Sequence, residues 1–100
     1  MFIKQISVSL ENIPGMLSNI SELLGKEGLN IRAISVADTS DISTVRFIVD
    51  DPVKAVHILR GHGYASKETE VLAVECPDHP GGVNAVLKPL KNAGINVLYL

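Results

Sequence analysis

A chain of 100 residues is long enough for one domain, and 46% hydrophobic content is rich for a body with so much surface relative to volume, so part of that surface is expected to face another chain. Nine basic residues against eleven acidic ones give a net charge of −2 with no basic run and few aromatics, which argues against phosphate-backbone binding and base stacking, and hence against nucleic acid. The single cysteine, Cys76, excludes an internal disulfide, and the opening "MFIKQISVSL" is too short and too polar for a signal peptide or a membrane span, so a cytoplasmic protein with no membrane partner is expected.

In chain order, "KQISVSL" alternates Ile6, Val8 and Leu10 against Gln5, Ser7 and Ser9, the period-two pattern of a half-buried strand. Asn12 is placed to cap a following helix in which Pro14 takes an early position, where its missing N–H costs nothing, and Met16, Ile20, Leu23 and Leu24 recur at helical spacing. Gly25 and Gly28 mark its end. Residues 29–37 read as a second strand, "DTSDIS" as a turn, and residues 44–49 as a third strand with Val45, Phe47 and Val49 inward, so the two strands form a hairpin. Asp51-Pro52 repeats the cap-plus-proline arrangement before a helix with the stripe Val53, Val56 and Leu59, ending at Gly61 or Gly63. A fourth strand begins after Tyr64 and runs to Cys76.

This order, βαββαβ with both helices on one face of an antiparallel sheet, is an α+β sandwich of ferredoxin-like type. Then the pattern starts again. Pro14, Gly15, Gly28 and Asn30 return as Pro80, Gly81, Gly94 and Asn96, each 66 positions on, with Leu17, Ile20 and Leu24 matched by Val83, Val86 and Leu90. Asp78 is the cap candidate of this third helix, Val83, Val86, Leu87 and Leu90 its buried stripe, and residues 95–100 a strand. Pro89 should kink or shorten the helix. Residues 1–70 thus form one module, whose last strand extends toward 76, and residues 71–100 the opening half of a second. The half-module lacks the strand that separates its first and second strands, so that lane is expected to be filled by another chain or by residues beyond Leu100.

The Pro-Gly at each helix entrance carries the chemistry. The N–H groups of Gly15, Met16 and Leu17 face away from the helix with the positive end of its dipole behind them, which suits a carboxylate. Gly15 keeps no side chain between a ligand and the backbone, and Asn30 offers a donor and an acceptor for an α-amino group. The same features also serve as plain helix capping and helix termination in any fold. In the second loop Asp78 stands where Asn12 stands, and would repel a carboxylate unless it pairs with the ligand's ammonium; Gly81 and Gly82 together leave more room, so the two loops need not bind the same thing.

The segment "LENIPGMLSNISELLGKEGLNIRAISVADTSDISTVRFIV" resembles an ACT domain, and "PDHPGGV…GINV" repeats its pattern. The resemblance implies a small amino-acid-sensing module, in particular one similar to the regulatory subunit of acetolactate synthase and to free-standing tandem-ACT proteins. It also implies a ligand held between modules paired through their second strands, touched by Asn12, Ile13, Pro14, Gly15, Met16 and Leu17 of one and by Asn30, Ile31 and Arg32 of the other. Asp78, Pro80, Gly81, Gly82, Val83 and Asn96 are the counterparts in the second copy.

Other readings are weaker. Cys76, Asp78 and His79 form one small cluster, and His57 and His62 do not stack at helical spacing, so no metal and no other cofactor is expected. An acylphosphatase-like activity would need an arginine in the loop after the first strand, and "ENIPGML" has none. Gln5, Ser7, Ser9, Thr44 and Arg46 form a polar sheet face that is solvated or packs on a partner sheet. The expectation is therefore a non-enzymatic, allosteric amino-acid-binding regulator, homo-oligomeric and dimeric at least, with a small amino acid as ligand, branched-chain ones first among the candidates, and a biosynthetic enzyme as candidate target. The competing class is an interaction module that binds no metabolite.

Overall fold

The computed structural model describes residues 1–11, 13–38 and 42–97. Seven elements follow one another: β1 (Phe2–Glu11), α1 (Met16–Lys26), β2 (Ile31–Asp38), β3 (Ile42–Val49), α2 (Pro52–Gly61), β4 (Ser66–Leu72) and α3 (Asn84–Asn92). The chain divides into two compact units, one of residues Phe2–Val71 and one of Met1 with Leu72–Leu100.

In the first unit the four strands form a sheet in the order β2-β3-β1-β4. β3 runs antiparallel to both β1 and β2, so β1 and β2 point the same way on either side of it. Ladder partners line up the apolar residues across the sheet: Val36 opposite Val45 and Val45 opposite Val8, then Ile34 opposite Phe47 and Phe47 opposite Ile6. One face of the sheet is thereby apolar. Ile6, Val8 and Leu10 from β1 and Val45, Phe47 and Val49 from β3 join Ile20 and Leu24 of α1 and Ala55, Val56 and Leu59 of α2 in a single buried cluster, which puts both helices on that face. This is the expected ferredoxin-like arrangement.

Local chemistry explains the element ends, and in places differs from the sequence reading. Asp51 caps α2 as expected: its carboxylate accepts the Lys54 N–H at 3.2 Å, and Pro52 occupies the first turn. Val53, expected in the buried stripe, is instead 66% exposed, and Ala55 takes its place beside Val56 and Leu59, because the three buried side chains sit at i, i+1 and i+4 rather than i+3 and i+6 of the proposed set. Gly25 lies inside α1 rather than at its end; the chain turns at Gly28, where φ is +76°. Of the expected "DTSDIS" turn, Asp38 belongs to β2 and Ile42 and Ser43 to β3, which begins earlier than expected, while residues 39–41 lie outside the described residues.

β4 is shorter than expected, ending at Leu72 rather than running to Cys76. In the second unit, Ala73 and Met1 exchange main-chain hydrogen bonds of 2.8 and 3.3 Å, and residues 74–77 adopt no strand. α3 passes through Pro89 without ending there, and the N–H of Ala93 returns to the Pro89 carbonyl at 3.0 Å. Its expected buried stripe is not buried: Val86, Leu87 and Leu90 are half-exposed and Val83 is 53% exposed, since the described residues of this unit supply no sheet of their own for the helix to cover. Residues 95–97 are not in a strand, and the rest of the strand expected over residues 95–100 lies outside the described residues.

Candidate functional site

The entrance to α1 is built differently from the sequence reading. Asn12, the expected cap, lies outside the described residues, and the residue at the N-cap is Gly15, in the left-handed region at φ +87° with no side-chain cap bond. A positive φ there favours glycine, because a Cβ would crowd the following carbonyl. Pro14 precedes the helix instead of forming its first turn. The Ile13 N–H bonds to Glu11 O at 2.8 Å, and Ile13 O accepts the Met16 N–H at 3.3 Å. Met16 is therefore not one of the open donors. Gly15 O accepts the Asn19 N–H at 2.9 Å, and among the described residues no acceptor is found for the N–H groups of Gly15, Leu17 and Ser18.

Directly beside this entrance lies a cavity of about 220 Å³. Ile13, Met16 and Leu17 line it from the loop and helix, Leu10 and Val45 from the sheet beneath, and Val36 from β2, with Glu11 and Ser43 as its polar members. Leu10, Val36, Ser43 and Val45 were not among the sequence candidates. The inward parity of Leu10 and Val45 was readable in the alternation of β1 and β3, but Ser43 was read as part of a turn, and the register that brings Val36 opposite Val45 was not readable. A second, larger and almost wholly apolar groove of about 500 Å³ continues along α1 and β2, lined by Leu17, Ile20, Ile31, Ile34 and Phe47 with Ser18 and Ser21. Leu17 lines both.

The second half of the candidate set sits elsewhere. Asn30 precedes β2, and its backbone is clamped to the end of β3: its N–H reaches Asp50 Oδ1 at 3.1 Å and its carbonyl accepts the Asp50 N–H at 3.3 Å. Its side chain is exposed, as is that of Arg32, while Ile31 packs against the core. Because Ile31 is level with Val49, whereas Asp38 is level with Ser43 and Ser43 with Leu10, Asn30 lies at the opposite end of β2 from the Gly15 entrance. Eight strand residues span about 25 Å. Within one module, Ile13, Gly15, Met16 and Leu17 come together; Ile31 shares the second groove with Leu17, while Asn30 and Arg32 do not join them.

In the second loop, Pro80, Gly81, Gly82 and Val83 form one continuous turn into α3, with Gly81 at φ +85°. Asp78 does not cap the helix: the N-cap position is Val83 and carries no side-chain cap bond. Asp78 and Asn96 are exposed. His79 Nδ1 lies 2.9 Å from Pro80 O and His62 Nδ1 lies 3.1 Å from Ile58 O, Cys76 is exposed, and among the described residues no group of three His, Cys, Asp or Glu side chains is placed to hold a metal ion. No helix among them is long and apolar enough to cross a membrane.

The chain, with a ferredoxin-like unit and a helix entrance that recurs before α3, is matched over residues 1–100 by the family model described as an ACT domain pair. The chain belongs to this ACT family. Its structure is similar to the crystal structure of protein BT0572 from Bacteroides thetaiotaomicron, with a TM-score of 0.93 and 37% identity over 99% of this chain and 69% of that one. The ligand-free regulatory subunit of aspartate kinase from Thermus thermophilus shares the ACT fold at 15% identity, with a TM-score of 0.70 over 96% of this chain and 73% of that one. So does a putative glycine cleavage system transcriptional repressor, at 14% identity and a TM-score of 0.56, over 97% of this chain and 69% of that one. No curated protein matches.

Proposed function

We propose that this chain is a non-enzymatic, cytoplasmic regulator of tandem ACT type that binds a small amino acid, with residues 1–70 as one module and residues 71–100 as the opening half of a second. The observation that carries the proposal is the α1 entrance: open N–H groups at Gly15, Leu17 and Ser18, with an apolar cavity alongside. The amides receive the ligand's carboxylate, aided by the helix dipole. The ligand's side chain enters the cavity; about 150 Å³ of apolar space accommodates benzene, so about 220 Å³ suffices for a branched aliphatic group. The apolar lining favours a branched-chain amino acid, and Glu11 at the cavity disfavours an acidic one.

Asn30 completes the site only from a second copy. β2 is an edge of the sheet, and antiparallel pairing of two β2 edges sets the start of one strand beside the end of the other, bringing Asn30, Ile31 and Arg32 of one module toward the Gly15 entrance of its partner. Ile34 and Val36, 48% and 51% exposed on this edge, would be covered in the same step. The working form is accordingly a homodimer or a larger assembly, and a ligand at the junction stabilises the paired arrangement, conveying to a target enzyme no more than its differential affinity for the two states.

Isothermal titration with the twenty amino acids tests this. Binding of a branched-chain member in the micromolar to millimolar range, about 4 to 8 kcal/mol, is expected; silence across the panel at millimolar concentration contradicts it. The same uncovered edge and groove also favour a second reading, an interaction module that pairs without a metabolite. For that module neither melting temperature nor dimerisation responds to any amino acid, whereas a sensor shifts in both.

A further inference from the structure

The second unit, Met1 with Leu72–Leu100, repeats the opening half of the first. Its helix is entered and left through the same turns: Gly15 and Gly81 have φ of +87° and +85°, and Gly28 and Gly94 have +76° and +73°. Leu29 N–H reaches Leu24 O at 3.0 Å, and Ile95 N–H reaches Leu90 O at 2.9 Å. The same displacement of 66 positions carries Ile6, Val8 and Leu10 of β1 onto Leu72, Val74 and Cys76, and Ile20 and Leu24 of α1 onto Val86 and Leu90 of α3. Burial does not repeat. The five residues of the first unit are core, whereas Leu72, Val74 and Cys76 are exposed, Val86 and Leu90 are half-exposed, and among the described residues of the second unit no apolar side chain is buried. A nine-residue helix with no sheet beneath it lacks the packing that holds such a helix in place.

The first unit shows what completes a half of this kind. It consists of two βαβ halves, β1-α1-β2 and β3-α2-β4, and its order β2-β3-β1-β4 is that of two halves related by a two-fold axis, with β1 and β3 antiparallel at the centre and both helices on one face. The inward rungs of the central pair are Ile6–Phe47, Val8–Val45 and Leu10–Ser43, with Val8–Val45 in the middle. The second unit holds one half, and the same half of a second copy, turned about a two-fold axis, supplies the other. With the axis on the counterpart of Val8, Val74 meets the partner's Val74, Leu72 meets the partner's Cys76 and Ala73 meets the partner's Glu75, so apolar groups face one another and no like charges are opposed.

The main chain leaves an edge available for this pairing. Ala73 is engaged on one side, where its N–H reaches Met1 O at 2.8 Å and its carbonyl accepts the Met1 amino group at 3.3 Å. Alternate residues of an extended chain bond on opposite edges, so Leu72 and the positions two and four further on turn away from Met1. Among the described residues no partner is found for the main-chain groups of Val74 and Cys76. We propose that residues 72–76 are an interface between copies of this chain: the segment pairs antiparallel with itself about Val74, and the two α3 helices lay Val86 and Leu90 on the apolar face so formed. This contact is separate from the β2 edge and does not rest on the amino-acid reading.

Amide hydrogen exchange on the full chain over a range of protein concentrations tests this, because pairing through β2 alone leaves α3 uncovered. Protection of the Leu87 and Ala93 amides, which close turns of α3 on Val83 O and Pro89 O, should rise with concentration. Val74→Lys and Val74→Glu each set two like charges on the axis and should each lower that protection about tenfold at a fixed concentration, whereas an equimolar mixture of the two, in which opposite charges meet, should recover it. Protection that is absent or independent of concentration overturns the proposal. So does a mixture no better protected than either variant alone, since the strands then do not meet at Val74.

Discussion

Gly15 shows how much one residue can decide. Its positive φ sets the α1 entrance, and space is open where a Cβ would project, with nothing within 4 Å. A valine there must adopt a conformation that β-branched residues avoid, at a cost of about 1–2 kcal/mol, so loss of ligand response in Gly15→Val would mix strain with obstruction. Asparagine tolerates the left-handed region, and Gly15→Asn projects its amide into the approach to the N–H groups. It should keep urea stability within about 1 kcal/mol of wild type while weakening amino-acid affinity at least tenfold by titration. Phe47, 1% exposed at the centre of the core, tests packing in the same way: Phe47→Ala should cost about 3–5 kcal/mol in urea unfolding.

At the scale of elements, what could be read from sequence was what depends on periodicity. Ile6, Val8 and Leu10 alternate, and so do Val45, Phe47 and Val49, and a strand's parity translates directly into a buried face. The Asp51-Pro52 cap could be read for the same local reason, since carboxylate, proline and Lys54 N–H lie within one turn. Asp51→Ala should lower stability by about 1 kcal/mol, seen as a shift in the urea midpoint with an unchanged slope. The cap assigned to Asp78 was misread by the same logic, because α3 is entered from Val83 with no side-chain bond at that cap position; Asn12 lies outside the described residues, and α1 is entered from a glycine with positive φ. The stripe of α3 was correctly periodic, but periodicity cannot say whether a surface exists to bury it. Of the candidate site, the loop was legible through its repetition. The cavity was not, because Val36 reaches it only through the β2–β3 register.

For the whole molecule, the proposed site would make sensing and assembly one event, because Asn30 is separated from the Gly15 entrance along β2. Val36→Lys, which places a charge in the uncovered apolar edge, should shift the assembly toward monomer by sedimentation and abolish amino-acid binding in the same variant. The most direct measurement is backbone NMR of the full chain during titration with a branched-chain amino acid. The account predicts that the amides of Gly15, Leu17 and Ser18 shift together and saturably. Unmoved Gly15, Leu17 and Ser18 resonances at millimolar ligand would contradict it.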